Sequence, residues 1–389
     1  MKKVFTCLLS LAACFCALNA VCEAAVPAGA GSAVYQESAG PQVTAQSAIL
    51  IDALTGQVLY SRAADARRYP ASTTKIMTLI VALEHGNPDD IVTVSRQAAG
   101  VEGSTIWLEA GEKIRLEDLL YGMMLVSGND ATVAVAEHIA GSVDAFAQMM
   151  TAKAHEIGAV HTNFVNSSGL PDDNHYTTAH DLALIAAYGY KNPTFAKIVG
   201  SKEWPLFRTR GPQYRKLENE NILLWIYPGG NGVKTGYTDA AGRCLVSAAN
   251  RDGIQLIAVV LDSVFMWNDS IALLNYGFQT LQPRQMVTAG QIEGSVPVLG
   301  GRSRSLPVKA EQSLTVPVGD SGADKYSVTM DLPDHVQAAV HAGDPIGTLE
   351  ILYDGQEVAS TKLLAAKSIE KKSFFSYLYQ QWRSVVALL

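Results

Sequence analysis

The order in which strand patterns and helix patterns follow one another constrains the fold of this chain more than any other feature. Apolar residues at 48–51 and 58–60 flank a Thr-Gly turn and predict a β-hairpin. Residues from about 90 to 200 instead repeat apolar side chains at helical spacing. Three apolar runs then predict strands again, at 233–237, 243–249 and 254–261. This order indicates an α+β domain, an antiparallel sheet with a helical subdomain, over residues 44–281.

A second region, residues 282–366, has a different composition. Short apolar pieces such as Leu314-Thr315-Val316 are separated there by Gly, Pro and Asp. Because this is the composition of short strands joined by turns, we expect a small all-β domain resembling a sandwich. The chain, at 389 residues, is long enough to build two separate cores.

The beginning of the chain is typical of an export signal. Two lysines precede an apolar stretch from Val4 to Leu18, and small residues follow it. We interpret residues 1–25 as a secretory signal peptide and residues 26–43, rich in Ala, Gly, Ser and Gln, as a flexible linker. The cleavage position stays open, as does lipidation at Cys14.

Cysteine usage agrees with export. Four of the five cysteines lie in the predicted signal peptide, so the mature chain would keep only Cys244 and could form no internal disulfide. Cys244 begins an apolar Cys-Leu-Val run, which predicts a buried structural thiol. A catalytic cysteine is disfavoured because nothing places a His base beside it.

The last residues, 367–389, predict an amphipathic helix. Its apolar side chains recur at helical spacing after two lysines: Phe374, Phe375, Leu378, Trp382, Val385, Val386 and Leu389. The segment is too short and too polar to span a bilayer, so we expect it to lie in the membrane interface. A helix docked on its own domain is the alternative.

Charge and ligand patterns give no support to several other functions. The formal net charge of −7 does not favour binding to nucleic acid. His155 and His161 do not have the spacing of four that places two zinc ligands on one helix face. We therefore expect no nucleic-acid partner, no metal and no other cofactor.

A candidate nucleophile and its base stand one helical turn apart in Ser72-Thr73-Thr74-Lys75. A serine hydroxyl needs a base to become a nucleophile, and a lysine within hydrogen-bond reach serves if its pKa is lowered. Amides at a helix N-terminus favour the anion that develops during attack. Alone this motif is weak, because Ser368 to Lys371 repeats it by accident.

A second motif, Ser127-Gly128-Asn129, lies in the predicted break between two helices. Ser127 can relay a proton, and the amide of Asn129 can bond both a substrate backbone and a lysine. Taken alone, this triplet is better explained as a plain helix junction with an Asn cap.

A third motif, Lys234-Thr235-Gly236, lies on a predicted strand. Lys234 and Thr235 can bind a substrate carboxylate, and Gly236 allows another backbone to approach closely. A second ammonium near Lys75 would also disfavour the charged form of Lys75 and lower its pKa.

Together the three motifs favour one site, since they occur in the order S-x-x-K, S-x-N, K-T-G on a helix, a helix junction and a strand. With the stretches around them, the chain closely resembles the low-molecular-mass penicillin-binding D-Ala-D-Ala carboxypeptidases. The stretches that carry the resemblance are 70–78, 126–131, 166–170, 176–179 and 233–238. The likeness extends to the small β domain and the tail helix.

The resemblance implies a penicillin-binding/β-lactamase-like transpeptidase domain and a serine-type D-Ala-D-Ala carboxypeptidase. Ser72 would be acylated, Lys75 would accept its proton, and the backbone amides of Ser72 and Tyr237 would form the oxyanion hole. The substrate would be a peptidoglycan stem pentapeptide, with β-lactams as inhibitors. The enzyme would be exported and peripheral, at the outer face of the bacterial cytoplasmic membrane.

One feature departs from the family pattern. Some members carry an Arg, which helps to hold the substrate carboxylate, shortly after the strand that ends here near Leu261, whereas this chain has Phe-Met-Trp-Asn-Asp at 265–269. Arg243 lies upstream on the neighbouring strand, and we expect it to face away. Carboxylate binding is therefore predicted to rest on Lys234 and Thr235 alone.

Three other functions compete with this prediction. A class A β-lactamase would need a Glu that activates a deacylating water, and no Glu followed closely by Leu-Asn occurs between Asn129 and Lys234. A wall-binding protein without turnover is supported only by the missing Arg. A DD-endopeptidase uses the same chemistry on cross-links, and the sequence leaves it open.

Overall fold

The computed structural model describes residues 40–211, 213–319, 322–372 and 382 of the chain. Its strands, in chain order, are β1 (Ser47–Asp52), β2 (Val58–Arg62), β3 (Ile91–Thr93), β4 (Lys113–Arg115), β5 (Glu203–Phe207), β6 (Tyr214–Glu218), β7 (Gly230–Thr238), β8 (Gly242–Arg251), β9 (Ile254–Leu261), β10 (Gln282–Val287), β11 (Ile292–Leu299), β12 (Ser305–Ala310), β13 (Leu314–Val318), β14 (Tyr326–Asp331), β15 (Val336–Gln337), β16 (Pro345–Tyr353) and β17 (Gln356–Ala365). Its α-helices, in chain order, are α1 (Lys75–His85), α2 (Arg96–Ala99), α3 (Leu116–Leu125), α4 (Asn129–Ala140), α5 (Val143–Ile157), α6 (Ala179–Tyr190), α7 (Pro193–Val199), α8 (Leu223–Ile226) and α9 (Met266–Thr280). Short 3₁₀ turns lie at Ala71–Thr74 and Ala323–Lys325.

An antiparallel sheet in the order β2-β1-β9-β8-β7 forms the centre of the larger domain. Ile49 of β1 lies opposite Val259 of β9, so the first and last parts of the domain pair directly. Successive residues of a strand point to opposite faces. Ile49 accordingly packs in the core shared with the helical region, and Leu50 packs in the core beneath α9. Both faces of the sheet are covered, which is why β1 and β9 are buried at nearly every position.

The helical region agrees with the predicted pattern in most places. Residues 126–128 separate α3 from α4, where the break was predicted. The Thr178 hydroxyl caps α6 by accepting a hydrogen bond from the Asp181 backbone amide at 3.0 Å. The hairpin of β5 and β6 was not predicted, because one residue alone of each strand, Leu206 and Leu217, is buried.

Strands dominate the chain from β10 onward. Six of them pair in the order β14-β16-β17-β12-β11-β15, and β10 pairs with β13. Val308, Ile351 and Leu363 are fully buried in a core that belongs to this region. The predicted fold class, an α+β domain followed by a small all-β domain, is confirmed.

Three predictions fall mostly or wholly outside the described residues: the signal peptide at 1–25, the linker at 26–43 and the amphipathic helix at 367–389. Among the helices that the structure does describe, none has the length and apolar character needed to cross a membrane.

A tight contact holds the loop at 166–169 against the 3₁₀ turn that precedes α1. Gly169 has a φ of +88°, and a Cβ atom on it would lie 1.8 Å from the carbonyl oxygen of Ala71. Asn166 Oδ1 accepts hydrogen bonds from the amides of Ser168 at 3.1 Å and Gly169 at 2.7 Å. Glycine is required here because both the left-handed backbone and the close approach exclude a side chain.

We expect Gly169→Ala to lower the melting temperature far more than Gly158→Ala does. Gly158 also has a positive φ, +99°, but apart from its neighbours along the chain no atom of the described residues lies within 4 Å of the place a Cβ would take. Alanine there adds backbone strain of about 1 kcal/mol, which lowers Tm by roughly 2–4 °C. Gly169→Ala adds the overlap with Ala71. Calorimetry measures both shifts in melting temperature. Equal shifts would mean that the loop at 166–169 moves away from Ala71 without loss of stability.

Candidate active site

Ser72 lies in the 3₁₀ turn Ala71–Thr74, and Lys75 begins α1 directly after it. The distance from Lys75 Nζ to Ser72 Oγ is 2.9 Å, so the predicted nucleophile and base are in contact. Every residue from Lys75 to Ala82 is buried. Helix α1 therefore runs through the interior of the domain and carries the Lys75 side chain with it.

Three oxygen atoms surround the side-chain nitrogen of Lys75. They are Ser72 Oγ at 2.9 Å, Asn129 Oδ1 at 2.8 Å and the Ser168 carbonyl oxygen at 2.8 Å. The amide and carbonyl oxygens can only accept hydrogen bonds, whereas the hydroxyl can also donate one. A neutral amine has two N–H groups and one lone pair, so it satisfies all three partners only when the lone pair faces the hydroxyl. The arrangement can thus take a proton from Ser72.

The electrostatic surroundings favour that neutral amine. Burial, and after it the ammonium of Lys234, hold the pKa of Lys75 well below its ordinary value. Burial also lowers the pKa of Lys234, to about 8, while the carboxylate of Glu220 acts in the opposite direction. At neutral pH the site therefore favours an uncharged Lys75 next to a charged Lys234.

The junction between α3 and α4 forms one wall of the site. Ser127 has a φ of +61°, a left-handed backbone conformation that is uncommon for residues other than glycine. Asn129 begins α4, and its Nδ2 donates a hydrogen bond to the Glu102 carbonyl at 2.7 Å. Because this contact fixes which end of the amide is the donor, Oδ1 is the end that faces Lys75.

Strand β7 forms the opposite wall. A Cβ atom on Gly236 would lie 3.0 Å from the Ser72 nitrogen and 3.1 Å from the Thr73 nitrogen. Any side chain there would push β7 away from the nucleophile. Lys234, two residues earlier on the strand, has a side chain that is only 1% exposed. The strand thus holds the second lysine in the interior and Thr235 on the cleft surface.

A cleft of about 480 Å³ lies between these walls. Its lining residues are Ser72, Ser104, Ser127, Glu220, Thr235, Gly236, Tyr237, Arg243, Met266 and Trp267. The prediction that Arg243 faces away is wrong. Arg243 of β8 lies directly opposite Tyr237 of β7, and opposite residues of an antiparallel pair point to the same face. Since Tyr237 faces the cleft, Arg243 does too, and it adds a guanidinium to the lining.

Two protein families match this sequence. The family described as D-alanyl-D-alanine carboxypeptidase matches residues 34–264. The chain belongs to this family. The family described as penicillin-binding protein 5, C-terminal domain, matches residues 281–371, which contain the all-β domain.

Individual members of the carboxypeptidase family are similar in sequence to this chain over most of its length. A D-alanyl-D-alanine carboxypeptidase of Bacillus subtilis is 33% identical over 344 residues, which cover 86% of this chain and 88% of that protein. One from Escherichia coli is 34% identical over 353 residues, covering 86% of each. The solved structure of penicillin-binding protein 5 from Haemophilus influenzae has a TM-score of 0.61 at 30% identity and covers 86% of this chain and 100% of that one.

The structure brings the predicted site residues of this family member into one place. Along the cleft lie Ser72, Ser127, Thr235, Gly236 and Tyr237. Buried beside it lie Lys75, Asn129 and Lys234. Cys244 is also fully buried, as predicted, and burial raises the pKa of its thiol to about 11.

Sequence reasoning missed several groups that complete the site. Ser168 supplies a carbonyl to Lys75, and a signal for it existed, since Ser168 lies within one of the stretches that carry the family resemblance. Ser104 and Glu220 had no such signal. Backbone hydrogen bonds hold both residues in place. The Ser104 carbonyl accepts one from the backbone amide of Asn129 at 2.7 Å, and the backbone amide of Glu220 donates one to the Leu125 carbonyl at 3.0 Å.

We expect the rate at which a β-lactam labels Ser72 to be bell-shaped in pH. Labelling should fall at low pH as Lys75 gains a proton, and should fall again above about 8 as Lys234 loses its charge and its attraction for the inhibitor carboxylate. In Lys234→Arg the cation persists, so the alkaline decline should move to higher pH. Labelling with fluorescent penicillin measures both profiles, and an unchanged alkaline limb in Lys234→Arg would contradict this assignment.

Proposed function

We propose that this chain hydrolyses the terminal D-Ala-D-Ala bond of peptidoglycan stem pentapeptides through an acyl-enzyme on Ser72. The observation that carries the proposal is the set of contacts around Lys75 Nζ, which leaves Ser72 Oγ as the one partner able to donate a proton. A buried lysine held in its neutral form is a base suited to activating a serine hydroxyl.

In the acylation step, Ser72 Oγ attacks the carbonyl carbon of the penultimate D-Ala and its proton passes to Lys75 Nζ. The negative charge that develops on the carbonyl oxygen would be bound by the backbone amides of Ser72 and Tyr237. The C–N bond then breaks, and the departing amine takes a proton that Ser127 relays from Lys75. Free D-Ala leaves, and the shortened peptide remains esterified to Ser72.

In the deacylation step, water replaces Ser72 as the nucleophile. Lys75, neutral again, would remove a proton from that water, and the ester bond would break with return of a proton to Ser72 Oγ. A β-lactam follows the first step only as far as ring opening. Its leaving nitrogen stays tethered to the acyl group, which hinders the approach of water and explains lasting inhibition.

Recognition of the substrate would use its terminal carboxylate. Lys234 and Thr235 are the predicted partners of this group, and Arg243 adds a guanidinium to the same cleft. A guanidinium can bind a carboxylate through two parallel hydrogen bonds. The chain thus carries an arginine on β8 in place of the one absent after β9.

Ser72→Ala should abolish both release of D-Ala from a pentapeptide ending in D-Ala-D-Ala and the covalent penicillin adduct, since both need the same oxygen. We expect D-Ala release to fall by at least about 10³-fold. Free D-Ala assay and intact mass spectrometry measure the two effects. A penicillin adduct that persists in Ser72→Ala would overturn the mechanism, as would D-Ala release at the original rate.

We also propose that the enzyme works outside the cytoplasmic membrane and is held at its outer face by the helix predicted at 367–389. The support is the apolar stripe of that segment beside Lys371 and Lys372. An interfacial helix of this kind binds reversibly, through buried apolar area and attraction to anionic lipids.

Deletion of residues 373–389 should release the mature enzyme from anionic liposomes while its activity on small peptides persists. Phe375→Ser should weaken sedimentation with liposomes, because it removes one apolar side chain of the stripe. Gln380→Ser, on the predicted polar face of the helix, serves as the matched control and should sediment like the unmodified enzyme. Equal partitioning of the full-length and shortened forms would mean that this segment does not anchor the protein.

A further inference from the structure

Glu220 is a cleft residue to which the mechanism above gives no role. Its amide donates to the Leu125 carbonyl at 3.0 Å, so its backbone is fixed at the end of α3. Its side chain is 49% exposed and lines the cleft with Ser72 and Thr235. The carboxylate therefore stands in the cleft itself and is free to turn toward solvent.

The Glu220 carboxylate contacts two polar side chains of β7. Thr235 Oγ1 donates a hydrogen bond to Glu220 Oε2 at 3.3 Å, and Lys234 Nζ lies 4.0 Å from the same oxygen. These two side chains are the pair assigned to the terminal carboxylate of the substrate. A carboxylate of the protein thus lies within reach of both side chains that are assigned to the substrate carboxylate.

We propose that Glu220 is an internal carboxylate ligand of the Lys234–Thr235 subsite, which fills that subsite in the free enzyme and is displaced by the terminal carboxylate of the substrate. This inference rests on the proposed function. Because Glu220 is half exposed, it can leave the subsite at small cost. Lys234 is almost fully buried and would otherwise face the empty subsite with little water around its charge.

Two opposing consequences follow for a substrate that ends in a carboxylate. While it stays in place, Glu220 competes with and repels that carboxylate. It also raises the pKa of Lys234 against the effect of burial and so keeps the ammonium charged until the substrate arrives. The first effect hinders binding at every pH, whereas the second helps binding where Lys234 begins to lose its proton, near pH 8.

The test compares Glu220→Gln with the unmodified enzyme on a pentapeptide ending in D-Ala-D-Ala and on its C-terminal amide. Glutamine keeps an acceptor for Thr235 but removes the charge. The ratio of kcat/KM values, acid over amide, cancels any change at Lys75, whose pKa Glu220 also raises. At about pH 6 this ratio should rise roughly two- to fivefold, the range expected for a half-exposed ion pair. At about pH 9 it should fall below that of the unmodified enzyme, because Lys234 loses its proton at a lower pH.

Glu218→Gln is the matched control. Glu218 is 63% exposed, pairs with Lys216 at 2.7 Å and does not line the cleft, so loss of its charge should leave the ratio unchanged at both pH values. Lys234→Ala is the second reference, and it should reduce the preference for the acid to the part that Arg243 supplies. Penicillin and its methyl ester provide the same comparison by acylation rate.

The outcomes distinguish failure of the proposal for Glu220 from failure of the proposed function. An acid-to-amide ratio that Glu220→Gln leaves unchanged, or equal losses on both substrates at both pH values, would overturn the role of Glu220. A preference for the acid that Lys234→Ala leaves undiminished would move the carboxylate subsite away from Lys234 and overturn the role of Glu220 too. Failure of the proposed function looks different, because the unmodified enzyme would then release no D-Ala from either substrate.

Discussion

The rest of the site depends on keeping the Lys75 amine away from water while its lone pair faces Ser72. A lysine in water stays charged at neutral pH and cannot accept a proton. Burial along α1 removes the solvation of the charge, and the oxygens of Asn129 and Ser168 bind the two N–H groups without adding a negative charge. The segments that carry these oxygens therefore have to be held rigidly against α1. The junction between α3 and α4 carries Asn129, and the loop at 166–169, which packs closely at Gly169, carries Ser168.

A second constraint comes from β7. Gly236 allows this strand to lie against the turn that carries Ser72, and the same strand then buries Lys234. The ammonium of Lys234 disfavours the charged form of Lys75, and the carboxylate of Glu220 offsets this only in part because it is half in solvent. The result is a gradient along the cleft, from a neutral amine at the nucleophile to cations at Lys234 and Arg243. A peptide with an uncharged scissile bond and a terminal carboxylate matches that gradient.

The cleft belongs to the larger domain, and the all-β domain has a core of its own. The residues named as lining the cleft all fall between Ser72 and Trp267, within the larger domain. The all-β domain builds its own core around side chains such as Val308 and Ile351. Neither core needs a disulfide, and Cys244 serves as a buried apolar side chain.

The sequence by itself determined the features that depend on residues close together along the chain. The hairpin of β1 and β2 and the strands β7 to β9 follow from local apolar periodicity and turn residues. The contact of Ser72 with Lys75 follows from one helical turn. The fold class and the predicted site residues could therefore be named before any coordinates.

Tertiary structure decided the groups that come from distant segments. The Ser168 carbonyl reaches Lys75 across 93 residues, and a backbone oxygen is present at every position, so no residue type marks the one that is used. The direction of Arg243 depends on its register opposite Tyr237, and a shift of one residue would turn it to the other face. Glu220 enters the cleft only because its amide bonds to the end of α3. The family stretch at 166–170 marks the loop that carries Ser168, but packing and register between separate segments decide which atoms of such loops and strands reach the site.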